Sequence, residues 1–322
     1  MTIAAREYDF EAARKRLEAK PKSAGPKLRS LEEAAALVKD GDHVALGGCL
    51  YSRTPLALVW ALLRRRPRRL TLSRNLMCYE GEWGMVAGAV DKLVTSWMGI
   101  GLPWGLSRIQ REFVEAGRVE FEEWSHLGLG LRYRAAAMGV PFLPSLTMLG
   151  SGLMGVGGSK TVACPYTGQT LHAVPALFPD VALIHVQKAD RLGNCQIDGY
   201  PHMDADIARA ASTVLVTAEQ IVSEDEIRLQ GDRTLIPGFM VDALAHVPYG
   251  SYPHECYGVY DAEPEHFTSY VDGILARGSA AVADYLERYV YEPATWLDYL
   301  DRFGGERLAR QARYARELVG PP

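Results

Sequence analysis

The stretch Asp40–Pro55, DGDHVALGGCLYSRTP, sets the frame for the chain. Its short apolar run, HVAL, is bounded by Asp-Gly and Gly-Gly pairs and reads as a buried strand that ends in a turn. Pro55 then opens PLALVWALLRRR, an apolar run with proline in its first turn, which predicts a helix. Strand, glycine turn and helix make the first half of an α/β unit. In open α/β sheets ligands sit beyond the carboxyl ends of the strands, where glycines admit a ligand to main-chain N–H groups and the next helix start favours negative charge. Gly47 and Gly48 occupy that place. Their spacing gives neither a P-loop nor GxGxxG, so a nucleotide is weakly indicated, and a plain strand-to-helix turn accounts for the glycines equally well.

Upstream, SLEE puts Ser30 at an N-cap with Glu33 three residues on, a capping box that predicts a helix over 31–39. Residues 1–27 read as a charge-rich amphipathic helix followed by the linker PKSAGPK, an appendage to a body spanning 28–322. Downstream, RLTLS, KLVTSW, DVALIHVQ, TVLVTAE and VDALAHV read as strands. LSRIQREFVEAG, LGLRYRAAAMG, DADIARAA and the charged stretch from about Glu265 read as helices. The alternation predicts an α/β fold, a mainly parallel sheet covered by helices on both faces.

With 322 residues and 48% hydrophobic content the chain can bury a sizeable core. A formal net charge of −4 gives no general attraction for nucleic acid or an anionic membrane. The five cysteines are odd in number and form no CxxC pair, which argues against a disulfide framework or structural zinc and fits a reducing, cytoplasmic setting. The N-terminus lacks the apolar core of a signal peptide, and no segment is long and apolar enough to span a bilayer.

The order Asp-Gly, two residues, three apolar residues, Gly-Gly, then Arg-x-Pro resembles the signature of family I CoA-transferases, in the variant of the glutaconate-type alpha chain. AAAMGVPFLP (135–144), GSGL (150–153), DVALIHVQ (180–187), DADIARAA (204–211), SEDEIR (223–228), VDALAHVPYG (241–250) and CYGVYD (256–261) are similar to that alpha chain in the same order, over roughly residues 28–300. Cys49 stands where the signature usually has Phe.

The resemblance implies a fold related to that of sugar-phosphate isomerases. It also implies a chemistry in which a glutamate attacks an acyl-CoA thioester, the resulting anhydride is captured by the thiolate as a glutamyl-CoA thioester, and an acceptor acid reverses the sequence. That glutamate lies in the beta subunit, typically in a Glu-Asn-Gly context, and this sequence has no such tripeptide. The chain is thereby expected to be the alpha half of an α2β2 heterotetramer acting on acyl-CoA and short dicarboxylic or oxo acids. Coenzyme A is then a passing substrate, and no permanent cofactor or metal is implied. Relatives that hydrolyse ring-opening CoA thioesters or decarboxylate glutaconyl-type esters supply the alternatives, and a stand-alone sugar-phosphate isomerase or anion-binding protein a more remote one.

For the site, the resemblance makes Gly47 and Gly48 the candidates for main-chain stabilisation of a thioester carbonyl. Arg53 is assigned to a substrate carboxylate, with a surface helix-start arginine as the plainer reading, and Ser73 and Asn75 are assigned to substrate binding beside it. Ser125-His126 stands where glutaconate-type alpha chains have Ser-Gln, so the imidazole is a candidate donor or acid/base, against a polar loop or helix cap. Glu122 and Glu123 neighbour the acid of the hydrolase relatives without matching it. DGYPHMDAD offers metal-type ligands, yet Asp204 is better explained as a helix cap. SEDE reads as a helix start rather than as a catalytic Glu224 or Glu226, and His254 with Cys256 in PHECYG as a loop with an inert thiol.

Overall fold

A computed structural model describes residues 9–23 and 25–319. The strands, in chain order, are β1 (His43–Leu46), β2 (Leu70–Arg74), β3 (Val90–Thr95), β4 (Gly99–Gly101), β5 (Gly105–Leu106), β6 (Glu120–Glu123), β7 (Phe142–Ser145), β8 (Lys160–Ala163), β9 (Thr170–Pro175), β10 (Val181–Ala189), β11 (Cys195–Gln196), β12 (Thr213–Ile221), β13 (Thr234–Ile236) and β14 (Ala243–His246). Nine of them form one sheet, in which β6, β3, β2, β1, β10, β12 and β14 lie side by side in parallel. The short β11 and β13 continue it antiparallel, β11 against the end of β10 beyond the point where β1 stops.

The chain builds outward from β1 through β2 to one edge and then returns to lay β10 on the other side of β1. That reversal is the crevice where open α/β sheets bind ligands. Gly47 is its first residue, and its N–H donates to Leu183 O (2.8 Å) on β10.

Side chains alternate across the sheet as the pleat requires. Val44, Leu46, Val181 and Leu183 enter one buried cluster, and Ala45, Ala182 and Ile184 the other. Both faces are covered, which is why the strands read as continuous apolar runs. On the first face the helix Leu56–Arg64 buries its eight residues from Leu56 to Leu63, beneath C-terminal helices whose aromatic rings, among them Phe267, Tyr270 and Tyr299, belong to the same cluster. On the second, the helices His126–Met138 and Asp204–Ala210 lie against each other and the sheet.

Ser30 and Glu33 form the predicted capping box, though the helix is shorter than expected, Leu31–Ala35. The segment expected as an appendage packs against the body. In the helix Phe10–Ala19, Ala13 is buried, Phe10 meets Phe178 (5.8 Å between ring centroids), and beyond it Lys20 pairs with Asp242 (2.6 Å). Residues 1–8 and Ala24 of that segment lie outside the described residues. The patterns also give no hint of a hairpin of β4 with β5 or of a separate antiparallel sheet ordered β7–β9–β8.

Candidate active site

The loops that follow β1, β2 and β11 meet at the reversal point. The first is the glycine turn, and its N–H groups are already engaged within the chain. Gly48 N–H donates to Asp204 Oδ1 (2.7 Å), Cys49 N–H to Ser52 O (3.0 Å) and Leu50 N–H to Leu76 O (2.9 Å). The expectation that Gly47 and Gly48 present free donors to a thioester is therefore corrected: both donors are spent. Glycine is required here for a different reason. Gly48 has φ +65, and a Cβ on it would lie 2.1 Å from Ser52 O, while one on Gly47 would lie 2.9 Å from Asp204 Oδ1. The turn closes on itself and on Asp204 too tightly for any side chain.

Two buried ion pairs clamp this turn. Arg53, 1% exposed, donates from Nη1 to Asp204 Oδ2 (2.5 Å) and His185 O (3.1 Å), and from Nη2 to Tyr200 O (2.6 Å). Arg74 donates to Gly47 O (3.0 Å), Leu50 O (2.8 Å), Thr54 Oγ1 (2.9 Å) and Glu80 Oε1 (2.7 Å). A planar fork suits such multidentate duty, and an opposite charge offsets the cost of burying it. Both expectations for Arg53 are thus corrected: it is neither on the surface nor open to a substrate carboxylate. Asp204 is corrected as well. Met203 holds the N-cap position with no side-chain cap bond, and the Asp204 carboxylate reaches back across the sheet end instead.

The second loop follows β2. Ser73 is buried, bonded to His43 Nε2 (2.7 Å) and Tyr133 OH (2.7 Å), so its assignment to substrate gives way to an internal network. Asn75, also buried, donates from Nδ2 to His126 O (3.3 Å), while its Oδ1 has no hydrogen-bond partner among the described residues. Ser125 caps its helix, accepting from Gly128 N–H (2.9 Å) and sharing a hydrogen bond with Thr147 Oγ1 (2.7 Å). His126 follows it as an exposed residue. Of this pair, serine serves the helix and histidine faces outward.

The third loop carries His202, which the sequence offers only as one of several metal-type ligands. It has φ +48, and its buried Nε2 has no partner among the described residues. Burial, and then the charges of Arg53 and Arg74, pull its pKa down to about 4, so the imidazole is neutral at physiological pH. Leu50, Arg53 and Leu76, in the two neighbouring loops, also take positive φ without being glycine. Such backbone is costly for an L-residue and collects at functional sites.

The remaining candidates resolve into structure. Glu122 is held by Arg132 (2.7 Å), Lys92 (2.6 Å) and Trp124 Nε1 (2.7 Å). Ser223 caps its helix, and Glu224 and Glu226 pair with Arg228 and Lys188 at the surface. His254 Nδ1 bonds Thr54 Oγ1 (2.5 Å) rather than Cys256, whose thiol burial pushes well up. All five cysteines are free. Among the described residues no helix is long and apolar enough to cross a membrane.

Comparison with known proteins places this geometry among relatives. Residues 28–246 match the family model described as coenzyme A transferase. The A subunit of glutaconate CoA-transferase from Acidaminococcus fermentans is 33% identical, over 88% of this chain and 93% of its own. The A subunit of 3-oxoadipate CoA-transferase from Pseudomonas knackmussii is 34% identical, over 82% and 93%. The crystal structure of the Acidaminococcus glutaconate enzyme superposes with a TM-score of 0.84 at 32% identity, covering 88% of this chain and 95% of that one.

Proposed function

The chain belongs to the coenzyme A transferase family, on the alpha side of its two-subunit enzymes, and on that premise we propose that it is the alpha half of a heteromeric enzyme that moves CoA between short dicarboxylic or oxo acids. The observation that carries the division of labour is the state of the carboxylates around the sheet end. Asp204 is tied to Arg53 and Gly48, Glu80 to Arg74, and Glu219 to His185. A carboxylate fixed by a buried guanidinium is a poor nucleophile, because attack would strip it of its partner. With no Glu-Asn-Gly tripeptide in the chain, the attacking glutamate comes from a partner chain.

In this reading the partner's glutamate adds to the thioester carbonyl, the CoA thiolate leaves, and its return opens the anhydride to give a glutamyl-CoA thioester and the free acid. The present chain supplies a rigid sheet end against which the acyl group is held, with His126 on the rim and the glycine turn as its inner wall. Geometry of this kind lowers the barrier by fixing orientation before reaction. The partner covers the exposed apolar side chains that rim the crevice, Tyr200 (82% exposed) and Leu127 (59% exposed). An α2β2 assembly in the cytoplasm, with CoA entering and leaving as substrate, completes the proposal.

The test is a trapping experiment on the complex. Incubation with acyl-CoA and no acceptor, followed by borohydride, reduces a glutamyl thioester and marks its peptide for mass analysis. The expected label is on the partner and none on this chain, which alone is inert. A label on this chain, or full transferase activity without a partner, overturns the assignment. Release of free CoA with no adduct points to a thioester hydrolase instead.

A further inference from the structure

Four buried polar atoms at the sheet end lack a partner among the described residues: Glu80 Oε2 and His254 Nε2, in fully buried side chains, and His202 Nε2 and Asn75 Oδ1, on two of the loops. Arg53, Arg74, Asp204 and the turn N–H groups spend their hydrogen bonds on one another, yet His202 Nε2 and Asn75 Oδ1, both buried, have no partner among the described residues. Leaving such a group unmet costs about 1–3 kcal/mol each. The two come from loops that approach Gly130: Asn75 bonds the carbonyl of His126, and a Cβ on Gly130 would lie 3.1 Å from Sδ of Met203, the residue after His202, and 3.9 Å from Asn75 Nδ2. His202 also holds a left-handed backbone, imposed by its neighbours: Tyr200 O is gripped by Arg53 and Asp204 is pinned to the glycine turn.

We propose that His202 Nε2 and the Asn75 carboxamide are the receptor for the thioester group of the substrate and the amide two carbons beyond its sulfur. The inference rests on the transferase reading and deepens it. The imidazole is uncharged beside two guanidiniums; in the tautomer with the proton on Nε2 it offers a donor in a positive field, suited to a carbonyl or carboxylate oxygen and unsuited to a cation. Asn75 Oδ1 asks for the opposite, an N–H or O–H. An acyl thioester of coenzyme A carries both, a carbonyl oxygen and, two carbons beyond the sulfur, an amide N–H. As the partner's carboxylate adds, charge builds on the carbonyl oxygen, and a fixed donor at that oxygen strengthens in the transition state.

The test uses the complete complex with three variants: His202→Phe, which keeps the ring and removes the donor, His202→Gln, whose amide replaces Nε2, and Asn75→Ala. Borohydride-trapped label is followed in single turnover with glutaryl-, glutaconyl- and 3-oxoadipyl-CoA, and free CoA affinity is measured by calorimetry. His202→Phe should slow labelling by about 100-fold, the loss typical of one oxyanion donor, with CoA affinity unchanged and the complex intact. His202→Gln should recover at least about tenfold of that loss, and Asn75→Ala should weaken acyl-CoA and free CoA alike, because the amide N–H is common to both. If His202→Phe does not assemble, the other two variants decide. Wild-type labelling rates in the His202 variants, or unchanged affinity for CoA in Asn75→Ala, overturn the receptor and leave the transferase reading standing. Failure of the wild-type complex to label with any of the three esters overturns both.

Discussion

Two buried polar clusters lie at the end of the same sheet, joined through Arg53, and they are built to opposite rules. The Glu219 carboxylate is met on both oxygens. Its Oε1 accepts from His185 Nε2 (2.7 Å), Tyr260 OH (2.7 Å) and Gly250 N–H (3.0 Å), its Oε2 from Tyr249 N–H (2.7 Å), and His185 Nδ1 bonds Thr217 Oγ1 (2.9 Å). Arg53 reaches this cluster at His185 O and the other at Tyr200 O, where His202 and Asn75 hold unmet atoms. A satisfied network fixes the loop that carries it, whereas an unsatisfied one keeps capacity for a ligand. The contrast separates the residues that hold the crevice from those that face into it.

The largest effect belongs to the closed cluster. Glu219→Ala strands four donors in the interior and unpins the 249–260 loop from β12. We expect a loss of about 5 kcal/mol, seen as a fall in melting temperature of roughly 10 °C or more, or as insoluble protein. Melting within about 2 °C of wild type would break the distinction.

Next comes the bridge between the clusters. Asp204→Asn keeps the shape and the acceptor for Gly48 but leaves the Arg53 guanidinium buried beside a neutral group. Removing one partner of a buried pair costs about 3 kcal/mol or more. The midpoint of denaturant unfolding should fall accordingly. Activity per folded complex should fall too, because the same pair positions the turn and the loop before His202.

Glu82 sharpens the comparison as a buried carboxylate with fewer donors than Glu219. It accepts from Ser107 Oγ (2.5 Å) and Tyr270 OH (2.7 Å) with no cation beside it, and burial raises its pKa to about 7. The raised folded value means that its protonated form favours folding below about pH 4.5, a contribution lost as pH rises through about 7. Glu82→Gln should therefore match wild type near pH 5 and exceed it at pH 8 by about 2 kcal/mol, read from unfolding midpoints at the two values. An equal gap at both would place the cause elsewhere.

The strands are legible in the sequence because both sheet faces are covered, so each carries a run of consecutive apolar residues, as in Val181–Ile184. The helix caps at Ser30 and Ser223 are legible because capping is local. Arg53 and Asp204 mislead for the opposite reason: their partnership joins residues about 150 positions apart, and local pattern favours a surface arginine and a helix cap. Gly47 and Gly48 stand out as necessary, yet their pattern suggests a ligand when the close approach is made by Ser52 and Asp204. His202 carries no signal, since neither a left-handed backbone nor an unmet nitrogen is written in PHMDAD. The β7–β9–β8 sheet escapes notice because its strands are largely exposed or half-exposed, with Pro144 inside β7 and Pro141 and Pro175 at strand ends.

The smallest effect divides one dipeptide. Ser125 accepts from Gly128 N–H and lies between its helix and Thr147, while His126 turns outward beside the crevice. Loss of an N-cap hydroxyl costs about 1 kcal/mol. Ser125→Ala should thus lower the melting temperature by roughly 2–4 °C, with turnover per folded complex unchanged. An exposed side chain away from caps and core moves stability by less than about 0.5 kcal/mol, so His126→Ala should leave melting in place. If His126 touches the acyl group, the same variant lowers kcat or raises KM for acyl-CoA without changing affinity for free CoA. The two substitutions, one residue apart, then give opposite signatures. Should Ser125→Ala lose turnover without losing stability, the serine faces substrate and the division between the holding and the facing residues fails at its finest point. Should His126→Ala change neither measurement, the rim contributes nothing to acyl recognition.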